Sequence, residues 1–324
     1  FWPSPRVRRW TAPCTRLPAS AGMKFVTAHE DLIHDVQLDF YGKRLATCSS
    51  DRLIKVYEAD DQQQQQPAEL IGHNGPVWQV AWAHPKFGNI LASCSYDRQV
   101  IVWKELAQAH WVQIYQYRGH DGSVNSISWC PPELGLCLAC ASSDESISVL
   151  SFLPSFTGGD GWDVAKFKAH KTGVNTVSWA PFSPEDPAAR RLASGGCDNA
   201  VKLWRCDESG QWVEDRALDQ VHSDWVRDVA WSPRPTSEYA TLASCSQDKK
   251  VVLWKFPLGL GEVGARKEIL FPAPVWRVSW SVTGTILAAS SGEDDVTLWK
   301  ETPTGAAPPH LKPPLSLPAR PASP

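Results

Sequence analysis

Five histidines of this 324-residue chain each precede an aspartate by 22 to 28 residues. The pairs are His29 and Asp51, His73 and Asp97, His120 and Asp144, His170 and Asp198, and His222 and Asp248. An imidazole next to a carboxylate can perform general acid–base catalysis or bind a metal ion when several such groups meet in one pocket. These histidines instead recur at intervals of 44 to 52 residues. The spacing therefore predicts five separate local sites, one in each structural repeat.

The chain around each pair alternates apolar and polar residues, as in VWQVAW at 77–82, VNTVSW at 174–179 and VWRVSW at 275–280. A period of two residues is typical of half-buried β-strands. A second short run precedes each aspartate, a third follows it, and a more polar fourth leads to the next histidine. Four short strands in about 40–45 residues make one β-propeller blade. We predict an all-β propeller of six blades, whose sixth blade lacks the histidine and ends at Trp299.

The repeats resemble the WD40 family in the type and order of their polar residues. In that family a histidine, a serine or threonine on the second strand, an aspartate in the next turn and a tryptophan on the third strand form one hydrogen-bonded chain. The resemblance implies three complete sets, which are His73, Ser93, Asp97 and Trp103 in blade two, His170, Ser194, Asp198 and Trp204 in blade four, and His222, Ser244, Asp248 and Trp254 in blade five.

The same resemblance implies incomplete sets in the other three blades. Blade one keeps His29, Thr47 and Asp51 but has Tyr57 in the tryptophan position, blade three keeps His120 and Asp144 with Cys140 and Leu150, and blade six has Phe271, Ala289 and Glu293 before Trp299. A buried carboxylate needs hydrogen-bond donors, and each set supplies them to its aspartate. We interpret the histidines as structural groups.

Composition and motifs argue against several other functions. The net charge of -3 gives no basic surface for direct binding to nucleic acid, and no run approaches the roughly 18 apolar residues of a membrane helix. The sequence contains no phosphate-binding loop, no G-x-S-x-G motif and no cluster with metal-ligand spacing. Cys137 and Cys140 form a C-x-x-C motif, but residues three apart on a strand point to opposite faces. We predict no catalytic residue, no metal and no cofactor.

The two ends differ from the repeats in composition. Residues 1–22 contain four arginines, four prolines and no acidic residue, and the only methionine, Met23, follows them. We predict a leader over 1–22 that is non-native or disordered, with Met23 as the natural start, although an organelle transit peptide has a similar composition. The propeller is expected over 23–300. Residues 301–324 contain eight prolines and predict a disordered tail.

Several runs are more specific than the repeat itself, and together they resemble the Sec-thirteen family. They are 29–52, 75–98, ASGGCDN at 193–199, HSDWVRDVAW at 222–231 and ASCSQD at 243–248. The resemblance implies a non-catalytic scaffold subunit of the outer COPII coat in transport from the endoplasmic reticulum to the Golgi, and of the nuclear-pore outer ring. It also implies a role in the nutrient-sensing complex upstream of the TOR kinase, with locations on COPII vesicles, at the nuclear pore and at the lysosomal surface.

The family resemblance also implies an open ring, which an elongated helical coat or pore protein completes by inserting strands as a further blade. Such an insertion satisfies the unpaired backbone groups of a sheet edge. Under this hypothesis the residues nearest the inserted strands are Ile33, Val36 and Leu38 of blade one and Val275, Val278 and Val296 of blade six. In the alternative, these residues are ordinary core and residues 24–28 close the ring within the same chain.

Other functions remain as alternatives at this point. WD40 proteins include substrate receptors of cullin-type ubiquitin ligases, but the aspartate and arginine that such receptors carry after the terminal tryptophan are absent from WKE, WRC, WKF and WKE here. A paralogous nuclear-pore propeller shares some of the specific runs. Trp78, Trp225 and Trp276 near the start of inner strands could anchor a peptide or pack between blades.

Overall fold

A computed structural model describes residues 9–11, 27–58, 66–154, 161–184, 190–233, 239–257, 264–292 and 295–302. Within these ranges the strands form six four-stranded antiparallel sheets. The only helical elements there are two 3₁₀ turns, at Pro85–Phe87 and Pro132–Leu134. The prediction of an all-β, six-bladed propeller is confirmed.

Each of the first five blades uses four consecutive strands. They are β2 (Ile33–Leu38), β3 (Arg44–Ser49), β4 (Ile54–Glu58) and β5 (Ala68–Leu70) in blade one; β6 (Val77–Trp82), β7 (Ile90–Ser95), β8 (Val100–Ala107) and β9 (His110–Tyr117) in blade two; β10 (Val124–Trp129), β11 (Cys137–Ser142), β12 (Ser146–Leu153) and β13 (Gly161–Lys168) in blade three; β14 (Val174–Trp179), β15 (Arg191–Gly196), β16 (Val201–Cys206) and β17 (Trp212–Ala217) in blade four; and β18 (Val226–Trp231), β19 (Tyr239–Ser246), β20 (Lys250–Pro257) and β21 (Ala265–Leu270) in blade five.

Blade six takes one strand from a distant part of the chain. Its first three strands are β22 (Val275–Trp280), β23 (Ile286–Ser291) and β24 (Asp295–Thr302), and β1 (Arg9–Thr11) pairs antiparallel with β24. The fourth strand therefore comes from within the predicted leader. Residues 27–28 of the alternative closing segment are not in a strand, and residues 24–26, the rest of 1–22 and residues 303–324 lie outside the described residues.

The second strand of a blade carries small residues because neighbouring blades cover both of its faces. All six residues of β7 and of β11 are buried, and their sequences are ILASCS and CLACAS. The side chains of alanine, serine and cysteine fit this narrow space, and a buried thiol behaves there as a small apolar group. This arrangement explains why most of the cysteines lie in second strands.

Five buried apolar clusters hold the blades together, and each lies between two consecutive blades. They join blades one and two, two and three, three and four, four and five, and five and six. The inner strands of these pairs also pack directly on each other. In the part of the chain that the structure describes, no such cluster joins blade six to blade one.

Candidate functional site

The complete polar sets form one continuous chain of hydrogen bonds in each blade. In blade two the Nδ1 of His73 lies 3.0 Å from the carboxylate of Asp97, and its Nε2 lies 2.8 Å from the Ser93 hydroxyl. The indole N–H of Trp103 donates to the same hydroxyl at 2.9 Å. The Ser93 hydroxyl thus joins the indole of Trp103 to the imidazole of His73, and the imidazole joins both to Asp97.

The same chain recurs in blades four and five. His170 lies 2.8 Å from Asp198 and 2.7 Å from Ser194, and Trp204 donates to Ser194 at 2.8 Å. In blade five the partners are His222, Asp248, Ser244 and Trp254, with His222 2.9 Å from the hydroxyl of Ser244 and Trp254 donating to that hydroxyl at 3.1 Å. Burial lowers the pKa of His222, which keeps its imidazole neutral at pH 7.

The aspartates also fix the local backbone. The carboxylate of Asp97 accepts hydrogen bonds from the backbone N–H groups of Asn74 at 2.8 Å and Gln99 at 3.0 Å. Burial by itself raises the pKa of this carboxyl, but the bonds from His73 and from these two N–H groups outweigh it and lower the pKa below its usual value. The aspartate is therefore ionised and joins the turn after the second strand to the entry of the first.

Blade three completes its set with a residue that sequence reasoning missed. His120 lies 2.9 Å from Asp144, but the hydroxyl at its Nε2 belongs to Ser148, 2.7 Å away. Ser148 lies on β12 directly opposite Cys140, which occupies the serine position of the other blades. The hydroxyl thus reaches the histidine from the neighbouring strand. A serine at 148 is the available signal, because the corresponding residues of complete blades, Ile101, Lys202 and Val252, are not hydroxyl residues.

Blade one differs from the complete pattern at Tyr57, and blade six retains only its tryptophan. His29 lies 2.7 Å from Asp51 and 2.8 Å from Thr47, while Tyr57 is buried on β4. In blade six Phe271 and Ala289 are buried, and Trp299 donates to Thr297 at 3.0 Å. Glu293 lies outside the described residues. In every described blade these groups are dispersed around the ring, and no cluster of three metal-ligating side chains occurs among the described residues.

The inner strands provide a common frame for comparing the junctions between blades. We number their residues as inner positions 1 to 6, starting at Ile33, Val77, Val124, Val174, Val226 and Val275. In blades two to six the aliphatic side chains at positions 1 and 4 are at most 4 % exposed. In blade one Ile33 at position 1 is 40 % exposed and Val36 at position 4 is 51 % exposed. In every other blade, the side chains at these two positions pack against the preceding blade.

A belt of hydrogen bonds links position 3 of each blade to position 4 of the next. The acceptors at position 3 are Asp35, Gln79, Ser126, Thr176 and Asp228, and the donors are the backbone N–H groups of Val80, Ile127, Val177, Val229 and Val278, at 2.8 to 3.4 Å. A β-bulge between positions 1 and 3 occurs in all six blades and orients these side chains.

The junction between blade six and blade one is built differently, and we call it the 6–1 junction. Position 3 of blade six is Arg277, whose guanidinium pairs with the buried carboxylate of Asp35 at position 3 of blade one. Arginine has only donors, so it cannot accept a hydrogen bond from the backbone N–H of Val36. Within the described residues, the pair of Asp35 with the 42 % exposed Arg277 side chain thus stands where the other junctions have packed aliphatic residues and a hydrogen bond to a backbone N–H.

Comparison with known proteins agrees with this architecture. The model of the WD domain, G-beta repeat family matches residues 23–58, 64–104, 111–150, 161–205 and 217–255. "Protein SEC13 homolog" of Drosophila melanogaster is 49 % identical over 291 residues, covering 86 % of this chain and 80 % of that protein. "Protein transport protein SEC13" of Yarrowia lipolytica is 48 % identical over 291 residues, covering 86 % of this chain and 94 % of its own length. The chain belongs to the SEC13 family of WD40 proteins.

Each of the five matched segments covers the inner strand of one of blades one to five of this SEC13-family propeller, and the last four also include all or part of the outer strand of the preceding blade. Blade six, with Phe271 and Ala289 in place of polar residues, lies outside them. "Protein SEC13 homolog" of Dictyostelium discoideum is 48 % identical over 282 residues, covering 85 % of this chain and 93 % of that protein. The similarity to SEC13 relatives therefore extends well beyond the repeat pattern of any single blade.

The six residues predicted to lie beside a partner's strands differ in the exposure of their side chains. Ile33, Val36, Leu38 and Val296 are between 40 % and 61 % exposed. Val275 and Val278 are buried in the cluster with blade five, so their side chains point away from the 6–1 junction. The physical reason is the direction of packing: positions 1 and 4 of a blade face the preceding blade, which is blade five for blade six and blade six for blade one.

The three tryptophans considered as peptide anchors lie in two different surroundings. The indole N–H of Trp78 donates to Ser123 at 2.9 Å, and its ring contacts His34 edge-on. Trp225 and Trp276 are both about half exposed, and the guanidinium of Arg227 lies over both rings, 5.1 and 4.7 Å from their centres. Stacking on arginine between blades five and six accounts for these two rings.

No helix in the described ranges has the length and apolar character needed to cross a bilayer.

Proposed function

We propose that this SEC13-family chain is a non-catalytic scaffold subunit of the outer COPII coat. The observation that carries the proposal is the exposed apolar face of blade one at the 6–1 junction, in a chain 48 % identical to a protein named "Protein transport protein SEC13". A propeller with one unfilled junction is a rigid body that another chain can complete. Its histidine–aspartate pairs are dispersed, as expected of a scaffold and not of an enzyme.

The 6–1 junction is, in this proposal, a wedge that receives strands from an elongated helical partner. Ile33, Val36 and Leu38 on one side and Val296 on the other give it an apolar lining. Burying each of these half-exposed side chains contributes about 1 kcal/mol. An inserted blade packs its face on these side chains, as each blade of the chain packs on the blade before it.

The same surface supports the other assemblies that the family resemblance implies. We propose that nuclear-pore scaffold proteins and a component of the nutrient-sensing complex upstream of TORC1 use the 6–1 junction in turn. One propeller can then stiffen several different elongated scaffold proteins, on COPII vesicles, at the nuclear pore and at the lysosomal surface. Binding through one shared junction makes these assemblies mutually exclusive for a given copy of the propeller.

A matched pair of variants tests the proposal. Leu38 is 57 % exposed at the 6–1 junction, and Leu153 is 58 % exposed at the end of β12 in blade three. We expect Leu38→Glu to abolish co-purification of the long coat and pore scaffold proteins from cytosol, measured by mass spectrometry, because a carboxylate in the filled wedge is buried without a partner. Leu153→Glu should retain these proteins at wild-type amounts.

The folded state of both variants is checked by circular dichroism and thermal unfolding. Retention of the scaffold proteins by a folded Leu38→Glu variant contradicts the assignment of the 6–1 junction as the docking site. Recovery of a ubiquitin-ligase adaptor in place of coat and pore proteins contradicts the scaffold function itself.

A further inference from the structure

The five packed junctions define what an inner strand must provide to fit between two blades. At each packed junction, the inner strand of the later blade has aliphatic residues at inner positions 1 and 4. The inner strand of the earlier blade has a hydrogen-bond acceptor at position 3. Thr176, for example, accepts from the N–H of Val229 at 3.2 Å while Val226 and Val229 bury their side chains against blade four. The chain itself thus contains five inner strands that show which residues fit a junction.

The 6–1 junction leaves one position of this pattern without its acceptor. The backbone N–H of Val36 corresponds to the five N–H groups that bond to the preceding blade, and no described residue of blade six accepts from it. Arg277, which stands at the acceptor position, adds further donors. A strand that fills the junction therefore meets two hydrogen-bond donors, the guanidinium of Arg277 and the backbone N–H of Val36. The apolar side chains of Ile33 and Val36 lie beside them.

Charge decides which kind of acceptor fits best. Side chains at position 3 of neighbouring blades touch, as the Thr176 hydroxyl does when it donates to Asp228 at 2.8 Å. Around Arg277 the position 3 groups of the two flanking blades are already carboxylates, Asp228 and Asp35. A third carboxylate beside Asp35 gives a like-charge contact, whereas a hydroxyl or amide oxygen accepts the hydrogen bond without one.

We propose that the strand filling the 6–1 junction carries a neutral acceptor, serine, threonine, asparagine or glutamine, at inner position 3, between aliphatic residues at positions 1 and 4. This inference rests on the proposed function, since it names the chemistry of the partner at the same junction. Arg277 and the N–H of Val36 are the groups that select this residue. Gln79, Ser126 and Thr176 show that the chain's own junctions accommodate three of these four neutral types.

A display experiment tests the rule by varying the inserted strand. Phage would present a designed three-strand blade whose inner strand is Val-Asn-X-Val-Ser-Trp, the sequence of 174–179 with X varied at the position of Thr176. The targets are the full-length chain and its Leu38→Glu variant, and clone counts are normalised to display level. Threonine and valine at X have nearly the same shape and strand preference, so their comparison isolates the acceptor.

We expect clones with serine, threonine, asparagine or glutamine to be enriched about fivefold to tenfold over valine on the wild-type chain, the factor that one net hydrogen bond contributes. Aspartate should fall between these groups, lysine should be depleted, and enrichment should disappear on Leu38→Glu. Equal enrichment of threonine, valine and lysine clones, still lost on Leu38→Glu, overturns the acceptor rule but leaves the docking site in place. Failure of every clone to distinguish the two targets overturns the docking site and the rule together.

Discussion

The junction between blades four and five and the 6–1 junction use similar residues with opposite results. In blade five Val226 and Val229 are buried against blade four, whereas Ile33 and Val36 at the same inner positions of blade one are 40 % and 51 % exposed. The side chains are equally apolar, and the strands have the same length and the same bulge. Burial at these positions is therefore decided by how closely the preceding blade packs on them, and the looser 6–1 junction leaves Ile33 and Val36 exposed.

The largest effect should separate these two junctions in stability. We expect Val229→Asp to lower the free energy of unfolding by about 4 kcal/mol or more, because it buries an unpaired charge. Val36→Asp, at the same inner position of blade one, should change it by less than about 1 kcal/mol, because water reaches the new carboxylate. Urea unfolding of both variants measures the difference. Comparable losses in the two variants break the comparison and indicate that the 6–1 junction is packed in solution.

A smaller effect compares polar groups inside and beside the packed part of the ring. Ser148→Ala should cost about 1–3 kcal/mol, because buried His120 loses the partner of its Nε2. Thr297→Val in blade six should lower the free energy of unfolding by only a few tenths of the loss in Ser148→Ala. The reason is that Trp299, which donates to Thr297, is partly open to water. The double variant Ser148→Ala with Cys140→Ser is the control for the first. It places a hydroxyl at the position that blades two, four and five use, and should recover part of the loss.

The smallest expected effect is a pH dependence of stability that originates in the packed blades. Burial lowers the pKa of His120 and His222 in the folded state, so the unfolded chain binds protons first as pH falls. Their contribution to stability is present above the unfolded value of about 6.5 and is lost as pH falls below it. We therefore expect the free energy of unfolding to decrease from pH 7.5 to pH 5.5. An increase over this range contradicts the neutral histidine in the hydrogen-bonded chain.

Much of the candidate site could be predicted from local pattern, and its failures have a common cause. The resemblance to WD40 repeats implied that His73, Asp97 and Trp103 share one network, and they do so because all three lie within a single blade. Val275 and Val278 were placed at the junction because a period of two separates the faces of a strand without saying which neighbour each face meets. Ser148 was missed because its role depends on cross-strand register with Cys140.

Sequence by itself determined the strands and the six-blade repeat, because alternation and repeat length act over a few tens of residues, and the resemblance to WD40 repeats implied the polar sets. Only the tertiary structure decided how blade six contacts blade one and the N-terminal strand β1. The pairing of Arg9–Thr11 with β24 and the ion pair of Arg277 with Asp35 join parts of the chain more than 240 residues apart. No periodic pattern encodes such a contact, because it depends on the summed geometry of all the intervening blades.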